Sequence, residues 1–83
     1  MVKTVTSEAS FSGGIHRWRR LTQRQIEILQ LIAEGKANKE VAVILSLAVK
    51  TVEFHKTRIM QILGLKTTSE LTKYAISHGI ISL

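Results

Sequence analysis

The feature that most constrains the fold is a set of three glycines, each of which follows an apolar stretch with helix-like spacing. A helix commonly ends in a left-handed residue, and glycine takes that conformation without a steric penalty. Gly35, Gly64 and Gly79 therefore predict three helix ends. The other two glycines, at positions 13 and 14, close a small, polar N-terminal segment without periodicity.

Polar residues ahead of the apolar stretches predict where the helices begin. The spacing of a capping box occurs twice, at Thr22 with Gln25 and at Thr67 with Glu70. In a capping box the side chain of each residue accepts a hydrogen bond from the backbone N–H of the other. Asn38 is expected to cap a further helix from the front. The predicted fold is a compact, all-α, four-helix domain with helices at residues 22–34, 38–45, 48–63 and 67–78.

One stretch, residues 41–49 (VAVILSLAV), fits two interpretations. Its β-propensity is that of a buried strand, since only one polar residue interrupts it. A helix, a turn and the start of another helix are favoured, because Asn38 precedes it and Val52, Ile59 and Leu63 follow at helical spacing. In that arrangement the small Ala42 would lie where two helices cross closely.

Composition excludes several classes of function. With 83 residues the chain is one small domain or a fragment, and it has neither cysteine nor aspartate. Disulfides, thiolate zinc sites and Asp-based catalysis are therefore excluded. The spacing of His16, His55 and His78 is not that of metal ligands. The sequence also shows no pattern that would pair a catalytic nucleophile with a general base. We expect no enzymatic activity, no metal, no cofactor and no small-molecule ligand.

Charge and hydropathy indicate the kind of partner. Twelve Lys and Arg against six Glu give a formal net charge of +6, which predicts an anionic partner. No apolar run approaches the length that spans a bilayer, and the N-terminus lacks a secretory signal. We expect a soluble, cytoplasmic protein, with residues 1–20 as a flexible basic arm or linker remnant and residues 21–83 as the folded domain.

The third helix, at residues 48–63, has two different sides. At about 100° per residue, Val52, Ile59 and Leu63 fall on one side. The opposite side, within an arc of about 140°, carries Lys50, Glu53, Phe54, Thr57, Arg58 and Gln61. Cations, hydrogen-bonding groups and one aromatic are what an element reading base edges in the major groove carries. An ordinary solvated helix face is the alternative.

Most of the sequence resembles a known family. From Leu21 to about Ile81 it is similar to the LuxR/GerE-type helix–turn–helix domain, the DNA-binding end of NarL/FixJ-type bacterial response regulators and of quorum-sensing regulators. The segments LTQRQ, EGKANKEVA, KTVEFH and LGLKTTSEL carry the resemblance. The resemblance implies a transcription regulator that binds double-stranded DNA through its second and third helices in the bacterial nucleoid, commonly as a homodimer.

The resemblance also implies roles for individual residues. The major groove would be faced by Lys50, Glu53, Phe54 and Thr57. Phosphates would be contacted by Lys39, Thr51 and Lys56, and we add Arg58 on its charge. The core would contain Val52, Ile59, Leu63, Ala42 and Ile32. The fourth helix often serves as a dimer contact, which here points to Tyr74, Lys73 and Ser77.

The sequence departs from the family at two informative positions. Ala48 stands where the family commonly has a serine that caps the recognition helix, so the start of this helix loses a side-chain cap. Ile62 stands where a basic residue is common. It lies near His55 on the helix flank, where it either widens the core contact or adds an exposed apolar group.

Several residues have a second interpretation. Glu53 either accepts a hydrogen bond from cytosine or pairs with Lys50 or Lys56. Phe54 either contacts a thymine methyl or packs toward the first helix. Trp18 lies among three arginines and could anchor the arm on the domain by a cation–π contact. Alternatively, the arm follows DNA phosphates, or these residues are the end of a disordered linker. His55 is expected to be half-buried with a hydrogen bond.

A protein-interaction module is the competing function. The same fold could dock on a partner such as RNA polymerase through Phe54, Ile62 and Tyr74. Salt-insensitive binding to a protein would favour this function, whereas steeply salt-dependent binding to a duplex would favour DNA recognition. Membrane binding is disfavoured, because the apolar residues that would have to contact lipid are expected to be buried in the core.

Overall fold

The structure is a computed structural model that describes residues 17–80. A 3-10 turn, Arg17–Arg20, precedes four α-helices. The helices are α1 (Gln23–Ala33), α2 (Asn38–Leu45), α3 (Val49–Leu63) and α4 (Thr68–Ser77). Residues 17–80 contain no strand, which confirms the all-α prediction and excludes the strand interpretation of residues 41–49. Residues 1–16 of the predicted arm lie outside the described residues, as do residues 81–83.

Both predicted capping boxes are present. The N–H of Gln25 donates to Oγ1 of Thr22 over 3.1 Å, and the N–H of Thr22 donates to Oε1 of Gln25 over 3.0 Å. Thr67 and Glu70 exchange the same two bonds, over 3.1 and 3.2 Å. These bonds satisfy N–H groups that a helix start otherwise leaves without a partner, and so they fix where α1 and α4 begin.

The prediction that Asn38 caps α2 is wrong by one residue. Ala37 occupies the cap position with an extended backbone (φ −75°, ψ 160°), and Asn38 is the first helical residue. Alanine has no side-chain acceptor, so only half of a capping box forms: Oε1 of Glu40 accepts the N–H of Ala37 over 2.8 Å. The side chain three residues into the helix therefore stabilises this start instead of the cap residue.

The helix ends confirm the glycine prediction. Gly35, Gly64 and Gly79 all have positive φ angles, of 98°, 72° and 70°. The end of α2 has no glycine, and there Ser46 takes the left-handed conformation with φ 57°. The next N–H, that of Leu47, donates to the carbonyl oxygen of Ala42 over 2.9 Å. This closure lets a short connection join α2 to α3.

α1 packs against α2, α3 and α4, and α2 also packs against α3, so the core lies around α1. All five residues that the sequence predicts as core are buried: Ile32, Ala42, Val52, Ile59 and Leu63. The remaining buried apolar residues are Leu21, Ile28, Leu29, Ala33, Val41, Leu71 and Ala75. Burial of the Val52, Ile59 and Leu63 side chains holds one side of α3 against the rest of the domain, so its other side must face outward.

The Arg17–Arg20 turn packs against α3, although the sequence assigned these residues to the arm. The N–H of Trp18 donates to the hydroxyl oxygen of Tyr74 over 3.2 Å, and the Arg19 guanidinium carbon lies 5.5 Å from the indole ring centre. Trp18 thus anchors this turn on the domain as proposed, but through its N–H bond and its packing against the core, because the cation–π contact joins two residues of the same turn. The indole Nε1 is buried and has no hydrogen-bond partner among residues 17–80. Within this part of the chain the ring packs against the buried core.

Tyr74, which the family resemblance points to as a dimer contact, is half-buried. Desolvation raises the pKa of its phenol, and the N–H bond from Trp18 opposes that rise. A second unforeseen contact ties the other end of the chain: Nε2 of Gln30 in α1 donates to the carbonyl oxygen of Ile80 over 3.2 Å. These contacts hold the segments that flank the four helices against the core.

We expect Val52→Ala to lower the free energy of unfolding by about 1–3 kcal/mol, because it removes buried methyl groups and leaves a cavity. Chemical denaturation of the whole chain measures this change. The exposed Glu53→Ala in the same helix is the matched control and should stay within about 0.5 kcal/mol of the wild type. An unmoved Val52→Ala curve would show that α3 faces the core with another side.

Glu70 generates a prediction for the pH dependence of stability. The N–H groups of Lys66 and Thr67 donate to Oε1 of Glu70 over 2.7 and 3.2 Å, and these bonds lower the pKa of its carboxyl below its ordinary value. Because the folded pKa lies below the unfolded one, the carboxylate stabilises the fold above the unfolded pKa, and this contribution disappears as the pH falls through the folded pKa.

We therefore expect Glu70→Gln to lose less stability than the wild type when the pH falls from about 7 to about 3. Glutamine keeps the acceptor of the capping box, so the substitution isolates the charge. Urea unfolding at both pH values gives the difference. Glu27→Gln, whose carboxylate instead binds the Arg24 side chain, is the control and should change the pH dependence less. Identical pH dependence of Glu70→Gln and wild type would contradict this account.

Candidate nucleic-acid interface

The outward side of α3 carries the residues that the sequence proposed for base reading. Lys50, Glu53, Phe54 and Thr57 are all exposed, on the side opposite Val52. They lie within two turns of the helix, so their side chains project from one surface of a single rod. Arg58 and Gln61 extend this surface toward the C-terminal end of α3 and are exposed as well.

The structure decides between the two positions considered for Phe54. Its side chain is 62% exposed, so it does not pack toward α1. Its nearest ring neighbour is His55, with 5.9 Å between ring centres in an edge-on arrangement. A large apolar side chain that is this exposed on a polar helix face is available to contact another molecule.

Glu53 makes no ion pair with Lys50 or Lys56. In the described part of the chain, residues 17–80, the ion pair joins Arg24 and Glu27 of α1 over 3.2 Å. The intrahelical interpretation of Glu53 therefore has no support from the geometry. Its carboxylate remains exposed among cations, where it can accept hydrogen bonds from a partner.

The four residues proposed for phosphate contact lie on both helices of the helix–turn–helix. Lys39 is exposed in the first turn of α2, and Arg58 is exposed on α3. Thr51 and Lys56, on the flanks of α3, are half-buried. Three of these four residues, Lys39, Lys56 and Arg58, are cations, and their positive field attracts a polyanion.

The N-terminus of α3 has no side-chain cap, as the alanine at position 48 predicts. Ala48 has the extended backbone that suits a cap residue (φ −72°, ψ 149°), but no side chain accepts a bond there. Its carbonyl oxygen accepts the N–H groups of Thr51 and Val52 over 3.0 and 3.1 Å. The first N–H groups of α3 therefore keep the partial positive charge that favours an anion.

Two residues on the flank of α3, His55 and Ile62, bear on predictions made from the sequence. His55 is half-buried as predicted, but its buried Nδ1 has no hydrogen-bond partner within residues 17–80, so the described residues do not supply the predicted bond at that atom. Ile62 is half-buried and packs against the buried core. It therefore widens the core contact instead of adding an exposed apolar group.

The residues proposed for a dimer contact lie together on α4 but differ in exposure. Lys73 and Ser77 are exposed. Tyr74 is half-buried: its ring stacks on that of His78, with 3.9 Å between centres and 17° between planes, and its hydroxyl accepts the Trp18 N–H. The hydroxyl of Ser77 donates to the carbonyl oxygen of Tyr74 over 3.1 Å. Lys73 thus keeps its polar end available on this surface.

Two exposed apolar residues of α2 were not predicted from the sequence. Val43 and Ile44, on the outer side of α2, are 79% and 52% exposed. The signal was present, because an apolar run as long as residues 41–49 exceeds what one face of a short helix buries. Residues 17–80 hold no cluster of three metal-ligating side chains. Over the same residues, no helix has the length and hydropathy of a membrane span.

Comparison with known proteins gives a consistent result. Residues 19–75 match the family of bacterial regulatory proteins described as the luxR family. The chain is 52% identical over 64 residues to the oxygen regulatory protein NreC of Staphylococcus carnosus (strain TM300) and 52% identical over 61 residues to NreC of Staphylococcus aureus (strain JH9). These alignments cover 77% and 74% of the chain but only 30% and 28% of the relatives.

The missing side-chain cap at the start of α3 should limit the stability of the fold. We expect Ala48→Ser to raise the free energy of unfolding by about 1 kcal/mol, because a serine oxygen can accept an N–H of the first turn. Chemical denaturation measures the gain, with Ala48→Val as the control, since valine is a poor cap. A serine variant no more stable than the valine variant would contradict the cap geometry.

Proposed function

The chain belongs to the luxR family of bacterial regulatory proteins, a family of DNA-binding transcription regulators, and we propose that it binds double-stranded DNA sequence-specifically through the exposed side of α3. Members of this family are regulators and not enzymes, in agreement with the expectation from the sequence. One observation carries the proposal. The side of α3 opposite its buried stripe presents Lys50, Glu53, Phe54 and Thr57 together to solvent.

The proposed mechanism places α3 in the major groove. The groove of B-DNA admits one α-helix, and it presents a distinct pattern of donors, acceptors and methyl groups for each base pair. Lys50 would donate to guanine, Glu53 would accept from the amino group of cytosine, and Phe54 would contact a thymine methyl. Thr57 would bond to whichever base edge lies opposite its hydroxyl.

Phosphate contacts would hold α3 in register. We assign them to Lys39, Thr51, Lys56 and Arg58, with the uncapped start of α3 as an additional anion-binding group. The net charge of +6 supports this assignment, because counterions released from the duplex drive such binding. Affinity should then fall steeply as the salt concentration rises.

Two protomers are proposed to bind half-sites about one helical turn, or about 10 base pairs, apart. The surface of α4 that carries Lys73, Ser77 and the exposed part of Tyr74 is the proposed contact between them. A regulator of this kind would act in the cytoplasm, at the bacterial nucleoid, and contact RNA polymerase there.

The competing function, a protein-interaction module built on Phe54, Ile62 and Tyr74, is less well supported. Ile62 and Tyr74 pack against the buried core, and Phe54 alone of the three is exposed. These residues therefore do not form one continuous apolar surface. DNA recognition accounts for the polar and cationic neighbours of Phe54, which a protein-docking surface centred on this residue would have to desolvate.

The experiment uses a duplex recovered from a random pool by the whole chain. We expect Lys50→Ala and Thr57→Ala to weaken binding by about tenfold each, since one good base contact contributes about 1–3 kcal/mol. Their free energies of unfolding should stay within about 0.5 kcal/mol of the wild type, because both side chains are exposed. Fluorescence anisotropy titrations and urea unfolding provide the two measurements.

Salt dependence separates phosphate contacts from general charge. Lys56→Ala should make the slope of log affinity against log salt less negative by about 0.9, the value for one phosphate contact. Lys66→Ala, which removes the same charge at an exposed position after α3, is the matched control and should change the slope less. Equal affinity of the wild type, Lys50→Ala and Thr57→Ala would overturn the proposal.

A further inference from the structure

The 3-10 turn ahead of α1 carries three arginines that the proposed base-reading surface does not use. Arg17, Arg19 and Arg20 are all exposed, and no acidic residue lies among them. In the described part of the chain the ion pair joins Arg24 to Glu27, so no described carboxylate neutralises the three guanidinium groups. We call these three side chains the basic turn.

Contacts to the core hold the backbone of the basic turn in place. The N–H of Trp18 donates to the hydroxyl oxygen of Tyr74 over 3.2 Å, and the indole ring packs against the buried core. The carbonyl oxygen of Trp18 accepts the N–H of Leu21 over 3.0 Å, and the Leu21 side chain is buried. The arginines therefore project from a fixed support, so less conformational entropy is lost when they bind a ligand.

The side chain of Arg17 lies against the C-terminal end of α3. A Cβ at Gly64 would lie 2.7 Å from Nη1 of Arg17, so the guanidinium group is close to the backbone at which α3 ends. The last carbonyl groups of a helix carry partial negative charge, which favours a cation at this position. Arg17 thus fixes the basic turn beside the end of α3, whereas Arg19 and Arg20 remain available to a ligand.

The contact between Arg19 and Trp18 leaves the hydrogen-bond donors of the arginine available. The guanidinium carbon lies 5.5 Å from the indole ring centre, a cation–π contact that occupies no hydrogen-bond acceptor. The five N–H donors of a guanidinium group form a fork that matches the oxygens of a phosphate. Arg20, the last residue of the turn, is exposed next to it. Two adjacent residues therefore present the donors that a phosphate requires.

We propose that Arg19 and Arg20 bind phosphates of the duplex that flank the base pairs contacted by α3. This inference rests on the proposed function and adds a second phosphate site to it. At about 1.5 Å per residue, Gly64 lies about 10 Å beyond Thr57 along α3. The major groove is about 12 Å wide, so this end of α3 and the turn beside it reach the edge of the groove, where the phosphates lie.

A phosphate backbone suits the basic turn better than a protein or a lipid surface does. The large exposed apolar residues of the described chain all lie on α2, α3 and α4: Val43, Ile44, Val49, Phe54 and Ile76. None belongs to the turn, and the Trp18 side chain is half-buried against the core. A protein or a membrane would meet charge here without the apolar contact that such partners add.

The test compares two duplexes, one that carries only the sequence recovered from a random pool and one that extends it by about ten base pairs on each side. The whole chain is titrated against both by fluorescence anisotropy. We expect Arg19→Ala/Arg20→Ala to weaken binding to the long duplex by about tenfold. Its salt slope there should become less negative by about 0.9 for each lost phosphate contact. On the short duplex the double variant should bind as tightly as the wild type.

Arg24→Ala is the matched control, because it removes the same kind of side chain from a nearby position that is already ion-paired. It should keep the wild-type affinity for both duplexes. All the altered side chains are exposed, and circular dichroism verifies that the variants fold. Equal losses in Arg24→Ala and the double variant would show a general effect of charge and refute the site. A loss in the double variant that is the same on both duplexes would also refute it.

Trp18 provides an independent readout, because it is the one tryptophan of the chain and lies within the turn. Binding of a phosphate by Arg19 changes the surroundings of the indole ring. We therefore expect the long duplex to change the tryptophan emission more than the short duplex does. A response of the same size to both duplexes would contradict the proposal.

Two negative results have different meanings. A wild type that prefers no duplex sequence contradicts the proposed function, and the second phosphate site with it. A wild type that binds its selected sequence, but whose affinity and salt slope on the long duplex are unchanged in the double variant, overturns the second site alone. Lys50→Ala separates the two surfaces, because it should weaken binding to both duplexes.

Discussion

Burial of Val52, Ile59 and Leu63 sets the rotation of α3 about its own axis, and the proposed DNA interface depends on that rotation. These side chains recur at intervals of seven and four residues, so together they cover one side of the helix against α1 and α2. The opposite side is then obliged to face solvent. A shift of one residue in this packing would turn the helix by about 100° and bury part of the polar surface.

The ends of the helices set the position of α3 as firmly as its packing sets its rotation. Ser46 ends α2 in a left-handed conformation, and the bond from Leu47 to Ala42 closes that end. The chain therefore turns at once into α3. The same turn divides the apolar run: Val41 and Ala42 enter the core, whereas Val43 and Ile44 remain outside. One local geometry thus determines both where α3 begins and which apolar residues of α2 stay exposed.

Features that depend on local spacing could be predicted from the sequence, and features that depend on distant contacts could not. The capping boxes at Thr22 and Thr67 were predictable because both partners lie within one turn. The start of α2 was misplaced because Asn38 is a better cap by type than Ala37, while the Glu40 contact stabilises the other register. The bond between Trp18 and Tyr74 joins residues 56 positions apart, and no periodicity indicates such a pair.

The proposed function requires that individual side chains on the exposed side of α3 read individual base pairs. Selection of bound duplexes from a random pool, carried out in parallel for the wild type and Phe54→Ala, tests it most directly. We expect a defined preferred sequence for the wild type, and for the variant the same sequence with the preference lost at one position, a thymine. A wild type without sequence preference, or two identical preferences, would contradict it.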